Sequence, residues 1–86
     1  MGVNSKQNIS KVVPVDLTTT DYEPNGSFFF RAGVGGTIKY LPSGNADDVP
    51  ITKTIVASAE FVDPEYVRKI FKVGTSATEI YAGFGF

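Results

Sequence analysis

The side chains that most often perform acid–base and nucleophilic chemistry are missing from this sequence. Its 86 residues include no histidine and no cysteine, the commonest general acid–base residue and the most intrinsically nucleophilic side chain of enzymes. Asp47 and Asp48 form the only adjacent acidic pair, and carboxylates that hydrolyse a substrate must face each other across it. Neighbouring aspartates in a loop do not have that geometry. We therefore predict that the chain is not an enzyme and has no catalytic residues.

Three short patterns resemble ligand or modification sites. Asn45 with Asp47 and Asp48 lacks the alternating acidic register and the distal glutamate of a calcium loop. Residues 33–36, Gly-Val-Gly-Gly, precede a strand-forming run instead of the helix that a phosphate-binding loop needs. The two glycosylation patterns, at 8–10 and 25–27, have no export signal before them. We predict no metal site and no cofactor.

Charge and length limit the class of partner. Eight Lys and Arg residues nearly balance nine Asp and Glu residues, with a net charge of −1, whereas nucleic-acid-binding domains usually present a basic patch. No window has the eighteen or so apolar residues of a membrane span, and residues 1–10 lack the apolar core of a signal peptide. We predict a soluble protein with an unprocessed N-terminus and neither nucleic acid nor membrane as partner. A chain this short buries only about 60–65% of its unfolded surface, so assembly is the reinforcement that remains available without disulfides or zinc.

The elements that must position any functional surface are predicted to be strands. Residues 11–17 read as an extended segment, and Pro14 restricts that segment to an edge strand or to an arm laid on another surface. Residues 27–34 and 37–41 are strand-forming runs separated by Gly35 and Gly36, a pattern that predicts a β-hairpin.

The second half of the chain continues the same pattern. Residues 51–57 alternate, with Lys53 interrupting the apolar side, which indicates an exposed or partner-facing position. Residues 59–62 predict a short strand, followed by a turn at 63–65, and residues 67–73 and 79–86 predict an antiparallel strand pair. No window sustains a helical period. We predict an all-β fold, a small antiparallel β-sandwich or barrel, with an extended N-terminal arm at 1–21 and one β-domain at 22–86.

The aromatic residues favour an interface without deciding it. Phe28, Phe29 and Phe30 are consecutive, so a strand directs Phe29 away from its neighbours, onto the face of Tyr81. Either the arm or another subunit covers that face, or both faces belong to a closed sandwich within one chain. The ending with Phe84 and Phe86 allows two interpretations as well: an ordinary last core strand, or an aromatic strand added to a neighbour's sheet.

One segment resembles a known family. Residues 74–82, Gly-Thr-Ser-Ala-Thr-Glu-Ile-Tyr-Ala, follow the basic strand at 67–70. Together they resemble the ending of small tailed-phage head proteins related to the head-spike base protein of gene transfer agents. The aromatic run at 28–40 is similar too, and the resemblance covers about residues 22–86. Residues 63–66 depart from the turn that is usual in this family, and residues 83–86 extend past its common ending.

The resemblance implies a non-enzymatic virion structural protein, made in the host cytoplasm and mounted on the outer surface of a capsid. Its partners would be the major capsid protein, further copies of itself in a trimer or pentamer, and a head fibre as a further candidate. Apolar residues of the arm and of the aromatic strands are the predicted subunit or capsid contacts. They are Val13, Val15, Leu17, Phe29, Tyr81, Phe84 and Phe86.

A second interpretation assigns the chain to a different class. A small carbohydrate- or host-surface-binding β-module would use exposed aromatic rings as platforms, and Tyr22, Tyr40 and Tyr81 are the candidates. Both interpretations predict exposed aromatic residues. They differ in whether the partner is a protein surface or a glycan.

Overall fold

The computed structural model describes residues 9–58 and 66–85, and all regular structure in these ranges is β-strand. The strands in the described ranges are β1 (Lys11–Pro14), β2 (Phe29–Val34), β3 (Gly36–Pro42), β4 (Ile51–Ile55), β5 (Val67–Ile70) and β6 (Thr78–Phe84). They form two antiparallel sheets of three strands each, a first sheet ordered β1-β6-β2 and a second ordered β4-β3-β5. This confirms the predicted all-β fold and is consistent with a small β-sandwich. The strand and turn predicted at 59–65, and Phe86, lie outside the described residues.

The core is formed by the strand positions that alternate toward the inside. In the first sheet, Phe30 and Ala32 of β2 lie opposite Ala82 and Ile80 of β6, and all four are buried. Successive side chains of a strand point to opposite faces, so this parity follows directly from the apolar alternation. The largest cluster of buried side chains in contact comprises Phe28, Phe30, Ala32, Ile38, Tyr40, Val67, Ile70, Ala77, Ile80 and Ala82.

The hairpin predicted at Gly35 and Gly36 is wrong. β2 pairs with β6, whereas β3 pairs with β4 and β5, so the chain passes from the first sheet into the second at this point. Glycine at position 35 allows the backbone to pass close to the end of β4, because a Cβ on Gly35 would lie 2.8 Å from the carbonyl oxygen of Ile55. Two adjacent glycines therefore mark a crossing between sheets here and not a tight turn.

The antiparallel pair predicted for 67–73 and 79–86 is also wrong, because β5 and β6 belong to different sheets. The segment between them, residues 71–77, is a crossing loop that continues along the edge of β3. The side chains of Thr75 and Ser76 accept hydrogen bonds from the backbone N–H groups of Lys39 (2.9 Å) and Thr37 (2.9 Å). The Thr37 carbonyl in turn accepts bonds from the Ser76 and Ala77 amides, at 2.9 and 3.0 Å. Hydroxyl groups thus replace ladder partners where the chain changes sheet.

Residues 11–17 confirm the edge-strand alternative. β1 pairs with β6 and lies at the edge of the first sheet within the described ranges. Pairing extends past the strand at both ends, because the amides of Ser10 and Val15 donate to the carbonyls of Phe84 and Ile80, each at 2.8 Å. Pro14 has no N–H to donate and is tolerated at an edge. This part of the predicted arm therefore lies along the β-domain, as one strand of its sheet.

Glu79 in β6 has a φ of 55°, in the left-handed region, between two residues that pair regularly with β2. That conformation costs a residue with a Cβ about 1–2 kcal/mol. We expect Glu79→Gly to raise the free energy of unfolding by about 0.5–1 kcal/mol, since the larger entropy loss of glycine offsets part of the gain. Urea unfolding measures it. Glu79→Ala removes the same carboxylate but keeps the Cβ, so an equal gain in both variants would contradict the strain explanation.

Candidate functional site

The predicted interface residues of the N-terminal segment lie against their own chain. Val15, Leu17 and Phe84 pack on the hydrophobic core, and half-buried Val13 lies opposite Ala82, a core residue. The physical reason is parity, since β1 is in register with β6 and its alternate residues share the inward face. Their contact with another subunit stays a prediction, and the exposed area they have left for it is small.

Phe29 is covered within the chain. It retains 4% of its exposure, and its ring stacks on the ring of Tyr66 with centroids 4.6 Å apart. Tyr81, on the same outer face, is half-buried beneath the guanidinium of Arg31, which lies 4.5 Å from the ring centroid. Of the two alternatives for this face, the structure supports closure by the same chain at Phe29. The sequence did not reveal Tyr66 as the covering residue because it follows a turn of unknown direction.

Three of the seven large hydrophobic residues that remain exposed in the described ranges lie in β4 or beside it. Large hydrophobic residues that remain exposed in the described ranges are Val12, Val34, Val49, Ile51, Val56, Tyr66 and Val73. Val49, Ile51 and Val56 belong to β4 and its flanking residues, and we call these three the β4 patch. Val56 is 78% exposed. The sequence analysis did not identify these three residues. The one feature that pointed to this strand was Lys53, which interrupts its apolar alternation.

Lys53 lies on the inward side of an edge strand. β4 is one of the two edge strands of the second sheet in the described ranges. Lys53 is paired with Ile38, which is fully buried. The Lys53 ammonium is 5.9 Å from the centroid of the Tyr40 ring, near the outer limit of a cation–π contact. The predicted partner-facing position of Lys53 is thus at the rim of the sandwich, beside the β4 patch.

The tyrosines proposed as glycan platforms are not arranged as platforms. Tyr40 is fully buried, so its assignment as an exposed ring is wrong. Tyr22 packs edge-on against Phe28 with ring centroids 5.3 Å apart, and burial raises the pKa of its hydroxyl above the usual 10.0. Tyr81 is half-buried under Arg31. Three separate environments therefore hold the three rings.

An open cleft of about 550 Å³ separates the segment after β1 from the crossing loop. Its lining residues are Val15, Asp16, Leu17, Thr18, Lys72, Thr75, Ser76, Ala77, Thr78, Glu79 and Ile80. The volume is in the range of small-molecule sites. The wall chemistry is mixed, with the carboxylates of Asp16 and Glu79, the ammonium of Lys72 and several hydroxyl groups.

Asp16 has a pKa held below its ordinary value of 3.8 by the hydroxyl and then by the backbone N–H of Thr18. Both groups donate to Oδ1, at 2.6 and 2.9 Å. Because the pKa of Asp16 is lowered in the folded state, the two hydrogen bonds from Thr18 stabilise the fold only while the carboxylate is ionised. Their contribution to the free energy of unfolding is present above the unfolded pKa and is lost as pH falls through the folded pKa. We expect Thr18→Val to raise the Asp16 pKa toward 3.8, as measured by carboxyl-carbon NMR titration. Thr19→Val is the control, and equal shifts in both variants would contradict this assignment.

The acidic pair at 47–48 has a structural partner. Arg68 of β5 contacts Asp47 at 2.9 Å between Nη1 and Oδ1, and its Nη2 donates to the Asn45 carbonyl at 2.7 Å. One of the two aspartates therefore ties the loop before β4 to the second sheet. Within residues 9–58 and 66–85, no three acidic, histidine or cysteine side chains come together as metal ligands would.

Comparison with known proteins gives no match: no protein-family model, no curated protein and no solved structure is similar to this chain. In the described part of the chain, no helix has the length and apolar character needed to cross a membrane. Any assignment of function therefore rests on the residues and on the geometry above.

Proposed function

We propose that this protein is a non-enzymatic virion structural protein, a capsid decoration or head-spike base protein that binds the outer surface of a phage capsid. The observation that supports the proposal is the β4 patch, three of the seven large hydrophobic residues that stay exposed in the described ranges, which belong to an edge strand and its flanks. Interfaces between proteins bury apolar centres of this kind, and a small domain without disulfides gains stability from covering them.

The resemblance at residues 74–82 supports the choice of class. In the structure the first residues of this segment form the end of the crossing loop, and the last form most of β6, the central strand of the first sheet. Thr75 and Ser76 replace ladder partners of β3. Residues 74–82, which resemble the phage head proteins, are therefore the residues at which this chain passes from one sheet to the other. This favours the interpretation that the chain and those proteins have a fold in common, and not a ligand-binding site.

The proposed partners are the major capsid protein, further copies of this chain, and a head fibre as an additional component. Trimers fit the threefold sites of a capsid and pentamers fit its vertices. Each copy needs only a weak contact, because many copies on one particle raise the effective concentration. The β4 patch is the contact that we assign to the capsid.

Two valines of equal exposure provide a direct test. Val56 in the β4 patch and Val73 in the crossing loop are each 78% exposed, so replacing either with aspartate leaves the core untouched. We expect Val56→Asp to weaken co-sedimentation with purified capsids about tenfold, which corresponds to about 1.4 kcal/mol of lost burial. Val73→Asp should bind as the wild type does.

The capsids come from phage particles produced by the cells that encode this chain, and mass spectrometry of these particles checks for its presence. Absence of the chain from the particles, or equal binding by both aspartate variants, would contradict the proposal. Binding to a glycan array by the isolated protein would instead support the carbohydrate-binding interpretation.

A further inference from the structure

Residues 25–27, which match the glycosylation pattern, begin with the dipeptide Asn25-Gly26. An asparagine side-chain amide can react with the backbone nitrogen of the next residue, and the reaction is easiest when that residue is glycine, because glycine has no Cβ to hinder the approach. The proposed capsid function makes no use of this dipeptide. Its placement in the fold decides whether the reaction can occur in the folded protein.

Both residues lie in an exposed bend between Tyr22 and Phe28. Gly26 has a φ of 123°, a conformation that residues with a Cβ rarely adopt, and a Cβ built on it would meet nothing within 4 Å. Within residues 9–58 and 66–85, neither the Asn25 side chain nor the Gly26 N–H takes part in a hydrogen bond. The side-chain amide and the backbone nitrogen are therefore not held apart by bonds to other described groups.

Asn45 provides a contrast within the same chain. Its side-chain nitrogen donates to the Val49 carbonyl at 2.9 Å, its backbone carbonyl accepts a bond from Arg68 at 2.7 Å, and the residue that follows it is alanine. Asn45 is half-buried, whereas Asn25 is exposed. The fold thus restrains one asparagine and leaves the other unrestrained.

We propose that Asn25 is a site of spontaneous covalent modification, at which the folded protein loses the side-chain amide through a cyclic imide. The Gly26 backbone nitrogen gives its proton to hydroxide and attacks Cγ of Asn25. A bond forms between this nitrogen and Cγ as the bond from Cγ to Nδ2 breaks, and Nδ2 takes a proton from water and leaves as ammonia. The only co-reactant is water with its hydroxide.

Hydrolysis of the imide gives two products. Water that attacks Cγ breaks the bond from Cγ to the Gly26 nitrogen and leaves aspartate. Water that attacks the backbone carbonyl carbon of residue 25 breaks the bond from that carbon to the same nitrogen and leaves isoaspartate, in which the chain runs through Cβ and Cγ. Both products have a carboxylate in place of the neutral amide, and isoaspartate also lengthens the backbone by a methylene group.

The bend that contains the site is anchored to β5 at both ends. Tyr22 and Ile70 exchange two backbone hydrogen bonds, each of 2.9 Å, and Phe28 and Val67 exchange two more, of 2.8 and 2.9 Å. Isoaspartate would add backbone length between these two anchors, so it should weaken the bonds to β5, whereas aspartate should leave them in place. The inference does not depend on the proposed capsid function, since it rests on the chemistry and placement of this bend.

Ageing of the full chain tests the proposal. The purified protein is kept in mildly alkaline buffer at physiological temperature, and mass spectrometry of its peptides follows the amide of each asparagine. We expect Asn25 to be converted at least tenfold faster than Asn45, at a rate that rises with pH because the attacking nitrogen must lose its proton. Asn25→Gln is the matched variant. Its amide would have to form a larger ring, so we expect conversion at position 25 to be at least tenfold slower than in the wild type.

A parallel incubation in guanidinium chloride separates the effect of the fold from that of the dipeptide. Because the folded chain leaves Asn25 exposed, we expect its conversion in the native protein to be less than fivefold slower than in the unfolded chain. Stronger protection than this, or conversion of Asn25 no faster than that of Asn45 in the native protein, would overturn the proposal.

The predicted effect on β5 has its own measurement. Isoaspartate-containing protein, separated from the aged sample by chromatography, is compared with Asn25→Asp, which has the same charge and the ordinary backbone. We expect the isoaspartate form to unfold at a lower urea concentration than Asn25→Asp. Equal unfolding midpoints would contradict the predicted weakening of the anchors on β5.

Discussion

The Phe28→Ala substitution is expected to lower the free energy of unfolding by about 3–5 kcal/mol, a large fraction of the about 5–15 kcal/mol that stabilises native proteins. Phe28 has no exposed surface, and its ring contacts Tyr22 and Phe84, with centroids 5.3 and 5.5 Å away. Truncation would remove the ring that lies between Tyr22, before β2, and Phe84, at the end of β6. A cavity would form where the two sheets meet.

The backbone at Phe28 adds to the expected effect. Phe28 and Val67 exchange two hydrogen bonds, at 2.8 and 2.9 Å, and the next residue, Phe29, pairs with Gly83 of the other sheet. Loss of the ring would therefore loosen a corner that joins β5 to β2. Urea unfolding followed by far-UV circular dichroism measures the change.

The control for Phe28 is Val73→Ala, at a residue that is 78% exposed, where we expect a change within about 0.5 kcal/mol. If Phe28→Ala shifted the unfolding free energy by less than about 1 kcal/mol, the position would not be the packed corner that the structure describes.

The Gly36→Ala substitution is expected to cost about 1–3 kcal/mol, as overpacking typically does. A Cβ at Gly36 would lie 2.7 Å from the Ser76 Oγ and 2.9 Å from the Ala77 backbone nitrogen. The crossing loop would have to move away from β3, and the bonds that the Thr37 carbonyl accepts from Ser76 and Ala77 would lengthen or break. Because the backbone of Ala77 is part of this contact, the clash with the added methyl group cannot be relieved by moving a side chain alone.

Gly44→Ala is the matched control, because a Cβ there meets nothing within 4 Å. We expect it to be neutral or to raise stability by up to about 1 kcal/mol through the unfolded state. Thermal unfolding of both variants gives the comparison. A Gly36→Ala protein as stable as Gly44→Ala would show that the crossing loop is not held against β3 in solution.

The strand class and the buried faces were predictable from the sequence, because a period of two determines which residues share a face. Phe28, Phe30 and Ala32 were placed together correctly, and so were Ile80, Ala82 and Phe84. Pro14 identified an edge strand for the same local reason, the missing N–H.

Strand partners were not predictable, because alternation contains no information about which strands pair. Gly35 and Gly36 fit a hairpin turn and a crossing equally well, and only the distant contacts of Ile55 and Ala77 decide between them. The exposure of Ile51 and Val56 depends on β4 being at an edge, which is a property of the whole sheet. For that reason Phe29, which suggested an interface, proved to be covered by its own chain, whereas Tyr81 and Phe84 are half-buried.

The position of β6 has a consequence for biosynthesis. β6 is the central strand of the first sheet, with β1 on one side and β2 on the other, yet it follows both of them by more than forty residues. On the ribosome, β1 and β2 are therefore made well before the strand that supplies their hydrogen bonds. The first sheet closes only once β6 has left the exit tunnel, and until then the unpaired edges of β1 and β2 are open to association with other chains.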